Sequence, residues 1–214
     1  MKQIEVLLET VLLSVHPRWC ELISSGIKTV EIRKTIPKHS APFRCYIYQT
    51  KKHWIYKLLE KLSLYQGKVI GEFVCDKIDT YEMEGYNKFK NVYQGINRIE
   101  VDEATFDTYH YTEASNDMSE EELSKSPLLK HSCLSFDEIG EYVCSDKDFG
   151  FHIFYGWHIS DLIIYDKPKE LSEFKQCHNC EYKESCIEHE YSCDGSHNLK
   201  TAPQSWCYVK EVNS

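Results

Sequence analysis

No apolar run in this sequence is long enough to cross a bilayer. The longest such stretches, VLL at 11–13 and LII at 162–164, fall far short of the roughly 18 residues a span requires. The opening MKQIEVLLETVLL has acids inside its apolar part and no small-residue cleavage site, so it does not read as a secretory signal. The glycine signatures of nucleotide-binding loops, GxGxxG and GxxxxGK followed by Ser or Thr, are missing. So are GxSxG, HExxH and the HxE…PCxxC deaminase pattern, and several large enzyme classes go with them. Internal repeats and low-complexity tracts are also lacking.

What remains is a chain of 214 residues that is 42% hydrophobic and 13% aromatic, enough to bury a core and too apolar for disorder. The length suits one domain over 1–214. The expected compartment is the cytoplasm, where thiols stay reduced, so the ten cysteines call for something other than a disulfide framework. The net charge of -9 is unevenly spread. Residues 1–70 hold twelve Lys/Arg and five Asp/Glu, and residues 71–214 hold thirteen and twenty-nine. An acidic body repels polyanions at long range, but a basic first third can still line a positive cleft.

Six cysteines, Cys20, Cys45, Cys75, Cys133, Cys144 and Cys207, stand singly among apolar neighbours and read as small buried hydrophobes. The other four lie within seventeen residues as Cys177-x2-Cys180-x5-Cys186-x6-Cys193. A CxxC pair with two later thiols can close a tetrahedron around one metal ion. The intervening sequence is too polar to form an apolar core, and a bound ion would supply that folding energy. The reading is a metal knuckle at about 176–195 with structural zinc; an iron–sulfur cluster is the less favoured occupant. Four filled positions leave none open for catalysis.

Periodicity predicts a strand in LLSVHP (12–17), a helix opening at Pro17 and closing at Gly26, and strands at 28–34 and 43–50. It predicts an amphipathic helix over 53–65 and a long strand over 67–81. Residues 82–133 read as an acidic insertion of loops and short helices. Ser135 and Glu138 form a capping-box pattern ahead of a short helix. One or two strands broken at Gly156 are expected over 149–168, then a short helix headed by Pro168 and a last strand at 205–209. Five or six strands mixed with two to four helices predict an α+β fold with a small curled sheet or barrel.

The most informative stretch is SGIKTVEIRK (25–34), whose strand alternation puts Thr29, Glu31 and Arg33 on one side with Lys28 at the entrance. Such charges either pair in a structural bridge or line a wet cleft, and spacing alone leans toward the bridge. LLSVHPRWCELISSGIKTVEIRK, GKVIGEFVCD and YGWHISDLIIYDKPKEL together resemble the ASCH domain family of the PUA-like superfamily. Its G-x-K-x-x-E-x-R element corresponds here to Gly26, Lys28, Glu31 and Arg33. The resemblance covers 10–81 and 134–209, and the cysteine knuckle is an elaboration on it. It implies a PUA-like mixed barrel of five to six strands with flanking helices, and binding of RNA, another nucleic acid or a nucleotide.

Some ASCH-like proteins resemble hydrolases that act on an acylated cytidine or on RNA. In the amidohydrolase type a Thr follows the lysine by three positions, where this chain has Glu31. A Lys28–Glu31 pair suits acid–base work with Glu31 as base. The more modest role has Lys28 and Arg33 contacting phosphate while Glu31 orients Arg33. Trp19, Tyr48 and Trp157 are the aromatic candidates for stacking a base. His16 and His158 lie on the same elements but show no orienting partner in the sequence. Three readings follow: an RNA- or nucleotide-binding ASCH domain with structural zinc, an ASCH-type hydrolase, and an adaptor that meets a protein partner through its acidic insertion. None involves a membrane.

Overall fold

A computed structural model of the chain describes residues 10–38, 40–51, 66–87, 92–115, 117–144, 150–177 and 196–212. In chain order the elements are β1 (Thr10–Val15), α1 (Pro17–Ser24), β2 (Val30–Arg33), β3 (Phe43–Gln49) and the twenty-residue β4 (Lys68–Asn87). Next come β5 (Val92–Val101), β6 (Thr108–Ser115), α2 (Glu120–Leu123), α3 (Pro127–Ser132) and α4 (Phe136–Val143). The nineteen-residue β7 (His152–Glu170), β8 (Phe174–Cys177), β9 (Ser196–Asn198) and β10 (Trp206–Glu211) complete the order. The fold is mixed α+β, with short helices. None of the described helices is long and apolar enough to cross a membrane.

Contacts gather in two units. The first takes Met1–Ser24, Pro42–Val74 and Asp161–Ser214, and the second takes Ser25–Ala41 and Cys75–Ser160. Both long strands, β4 and β7, contribute a stretch to each unit.

In the first unit β1 runs parallel to β3, with Thr10 opposite Arg44 and Val15 opposite Gln49, and antiparallel to β10. β10 continues to β8 and β8 to β9. Val11, Leu12 and Leu13 are all fully buried, because a strand flanked on both edges and covered on both faces must be apolar throughout. Leu12, Tyr46, Val69, Phe174 and Val209 share one core cluster. Pro17 heads α1, as expected from its missing N–H. Gly71 meets the backbone of β7 so closely that an added Cβ would lie 2.3 Å from the Ile163 carbonyl oxygen.

In the second unit β2 pairs antiparallel with β7, Glu31 facing Trp157 and Ile32 facing Gly156. β4, β5 and β6 form an antiparallel meander. The core joins Val30, Ile32, Tyr81, Met83, Ile96, Leu128, Ile139 and Phe154, with Tyr81 stacked on Phe154 at 5.3 Å. The capping box before α4 is present, Ser135 and Glu138 exchanging their hydrogen bonds at 2.9 and 3.1 Å.

Several expectations need correction. The strands form open arrays, and no pairing among the described residues closes a barrel of five or six. Residues 82–133 are not loops and short helices alone: the end of β4, β5 and β6 lie there ahead of α2 and α3. Gly156 does not break β7, which instead runs on through Pro168 to Glu170 and leaves only a 3-10 turn over Leu171–Glu173 where a helix was expected. The helix predicted over 53–65 lies outside the described residues.

Candidate functional site

The chain leaves α1 through Gly26, at φ 71, and enters β2 with Lys28 turned inward. Lys28 is 2% exposed, and its three ammonium donors are all engaged. It donates to the Val30 carbonyl at 2.9 Å and the Ser132 carbonyl at 2.5 Å, and it lies 3.3 Å from Oε2 of Glu31. The other carboxylate oxygen of Glu31 sits 2.9 Å from Nη2 of Arg33. Glu31 and Arg33 are buried as well. The KxxExR element is therefore a closed ion triad and not the rim of a wet cleft. The bridge that spacing leaned toward is present, with Lys28 as its third member.

Why the chain folds this way locally is readable. Ser126 caps α3, Pro127 opens it, and Cys133 at φ 56 ends it in the left-handed conformation, so its last carbonyls turn toward β2. Thr29 N–H donates to the His131 carbonyl at 2.9 Å, and Thr29 Oγ1 meets His131 Nδ1 at 3.0 Å. Those terminal carbonyls carry partial negative charge, which favours the Lys28 ammonium there. Two cations and one carboxylate leave the triad one positive charge in excess. Its solvent side is formed by Tyr142, whose hydroxyl bonds to Arg33, and by the exposed Lys34, whose Nζ stands 5.3 Å from the Tyr142 ring. Burial raises the Tyr142 hydroxyl pKa above its ordinary value, and Arg33 opposes that rise.

The aromatic candidates do not make an open wall. Trp157, opposite Glu31, is fully buried and packs as core. Tyr48 is 6% exposed, and burial raises its pKa. Trp19 is half-buried and carries the Arg18 guanidinium 4.3 Å from its ring centroid. Trp19 and Tyr48 belong to the first unit, and Lys28, Glu31, Arg33 and Trp157 to the second.

One pair escaped sequence reasoning. His158 does have an orienting partner: its Nε2 lies 2.7 Å from Oδ2 of Asp79. Lys77 holds the other oxygen of Asp79 at 2.8 Å, and Arg98 stands 3.8 Å from it. Burial alone would raise the Asp79 pKa, but the hydrogen bonds from His158 and Lys77 outweigh it and bring it to about 2. An ionised Asp79 only accepts, so Nε2 of His158 carries a proton. The pair spans 79 positions, and the sequence offers no spacing signal that links them.

The singly placed cysteines behave as expected at Cys20, Cys45, Cys75, Cys144 and Cys207, all buried, while Cys133 is partly exposed. The knuckle expected from Cys177, Cys180, Cys186 and Cys193 lies outside the described residues, apart from the Cys177 backbone at the end of β8. Among the described residues no group of three or more His, Cys, Asp and Glu is arranged to hold a metal ion.

Comparison with solved structures finds the ASCH protein of Zymomonas mobilis, 16% identical, with TM-score 0.46, covering 94% of this chain and 88% of that one. A tyrosine-to-phenylalanine mutant of that protein is 15% identical, with TM-score 0.40 over 94% of this chain and 91% of that one. Its serine-to-alanine mutant is likewise 15% identical, at 0.40 over 95% and 90%. No curated protein matches the sequence significantly. The family model described as "ASCH domain" matches residues 13–127, which includes Lys28, Glu31, Arg33 and most of the stretch that sequence reading set aside as an insertion. That is just over half of the 214 residues, and the chain belongs to the ASCH domain family.

Proposed function

We propose that this ASCH domain binds RNA or a modified nucleotide on the face of its second unit that carries the KxxExR element. One observation supports the reading above others: the buried triad of Lys28, Glu31 and Arg33 holds one more cation than anion. A phosphate beside it would meet that excess. Lys28 has no donor to spare, so contact with the ligand falls to the solvent side, through Lys34 and the Tyr142 ring, with Arg33 behind them. The four clustered cysteines complete the reading as a structural zinc clasp that supports the fold and takes no part in chemistry.

The test is anisotropy with short single-stranded RNAs across a salt series. Binding that weakens linearly in log salt, and by about a further tenfold in Lys34→Ala/Tyr142→Ala, supports it. Binding that ignores both salt and the double variant overturns it. Metal analysis of the purified chain should return close to one zinc per molecule.

The Asp79–His158 pair favours a second reading, hydrolysis of an acylated nucleoside. Nδ1 of His158 would take a proton from water as its oxygen attacks the acyl carbon, then return it to the leaving nitrogen. Turnover that drops by about 10²–10⁴ in His158→Gln, with RNA affinity unchanged, would favour this role.

A further inference from the structure

The β5–β6 hairpin ends in a surface that neither the triad nor the Asp79–His158 pair uses. Val101 is 57% exposed, Phe106 81%, Tyr109 46% and Tyr111 51%. Tyr109 and Tyr111 lie on one face of the hairpin with Phe106 in the loop ahead of them, while Val101, paired with Thr108, lies on the other face. Phe106 also stands at φ 60, a left-handed conformation that bulky residues avoid. The loop fixes it there: Phe106 N–H donates to the Asp102 carbonyl at 2.8 Å, and Asp102 N–H donates to that of Asp107 at 2.9 Å. The Asp102 carboxylate accepts from the N–H groups of Ala104 and Thr105 at 2.8 and 2.9 Å. Local bonding thus holds a phenyl ring out in water.

Behind the loop lies an open strand edge. Among the described residues β6 pairs with β5 and with no other strand. Its residues 108–112 are exposed on both faces. An antiparallel pair satisfies only alternate backbone groups on its outer strand, so the remaining N–H and C=O groups of β6 point away from β5. Tyr109 and Tyr111, two positions apart, share one face beside that edge.

Charge decides the occupant. Residues 99–124 contain nine Asp/Glu and no Lys or Arg. The hairpin's single cation, Arg98, is taken up by Glu100 and Asp79. Such a surface repels a nucleic acid and attracts a cationic chain. We propose that the free edge of β6 docks an extended, basic segment of a partner protein. The segment adds as a further strand, its alternate apolar side chains resting on Phe106, Tyr109 and Tyr111 and its Lys or Arg residues meeting the acidic rim.

The experiment titrates the full chain with a nine-residue peptide of alternating arginine and valine and follows amide hydrogen exchange. Two control peptides accompany it, one alternating lysine and glycine and one alternating glutamate and valine. The expected result is exchange slowed by about tenfold or more at β6 amides with the arginine–valine peptide alone. Phe106→Ser and Tyr111→Thr should each weaken that peptide by about tenfold while leaving the thermal melt and RNA affinity unchanged. If Phe106→Ser fails to fold, Tyr111→Thr carries the test. Equal binding of the lysine–glycine peptide, protection mapping to another strand, or affinity unmoved by Tyr111→Thr overturns the proposal. Protection of β6 by RNA, or by self-association of the chain without peptide, overturns it as well.

Discussion

The Nζ of Lys28 donates to the carbonyl of Ser132 at 2.5 Å across 104 positions of sequence, and so ties the family's signature strand to the end of α3. The signature lysine is consequently a fold-forming residue before it is anything else. Glu31 is the only carboxylate of the triad, facing Lys28 on one oxygen and Arg33 on the other. Glu31→Gln would leave two buried cations without their counter-charge, and a loss of about 3–5 kcal/mol is expected. Lys28→Met removes the surplus charge but deprives two carbonyls of their donor, at a cost of about 1–3 kcal/mol. Urea denaturation of both variants checks the order. A costlier Lys28→Met would refute this charge balance.

Asp79 predicts an acid limb. Its folded pKa of about 2 lies below the ordinary value of 3.8, so its contribution is complete above about pH 4 and fades as pH falls toward 2. The stability at stake is on the order of 2 kcal/mol. Asp79→Asn should flatten the stability profile between pH 4 and 2 while lowering stability at neutral pH. An unchanged slope in that window would remove Asp79 from the account.

Thiol chemistry should separate the cysteines by burial. Cys75 is fully buried, and desolvation pushes its thiol up to about 12, so it should resist an alkylating reagent in the native state. Cys133, partly exposed, should react first among the six single cysteines. Peptide mapping after brief labelling reads the order directly. Early labelling of Cys75 would contradict its placement in the core.

Two glycines should differ in a way backbone conformation alone does not predict. Gly26 has positive φ but open space around a would-be Cβ, so Gly26→Ala should cost only about 1–2 kcal/mol of backbone strain. Gly71 would drive a methyl group into the Ile163 carbonyl at 2.3 Å, and its neighbour is backbone that can yield only by parting β4 from β7. Gly71→Ala should therefore be the more damaging. Thermal melts of the two variants decide the ranking.

Much of the framework was legible in the sequence because the signals are local. Pro17 opening α1, the left-handed Gly26, the Ser135–Glu138 capping box and the final strand near Trp206 each announce themselves within a few residues. β6 was not legible, because residues 108–112 are exposed on both faces and a strand in water on both sides has no reason to alternate. The run through Pro168 misled because a helix-opening proline and a proline within a strand look alike in one dimension. Alternation put Glu31 and Arg33 on one side and leaned toward a bridge between them, but it did not show that all four residues of β2 are buried. Their partners, Ser132 and Tyr142, are a hundred positions away. A separation of 79 positions likewise hid Asp79 from His158.

The register of Leu13 against Trp206 has a consequence in time. On a ribosome, β1 is made first, and its antiparallel neighbour β10 follows only 191 residues after Val15. At roughly 5–20 residues per second, the interval is on the order of 10–40 s. β3 can cover one edge of β1 soon after synthesis, and the opposite edge stays bare until β10 has been made. A nascent chain of this protein therefore carries an apolar, half-paired strand throughout that interval. Its yield in cells should depend on holdase chaperones acting on the unfinished polypeptide more than on the stability of the finished one.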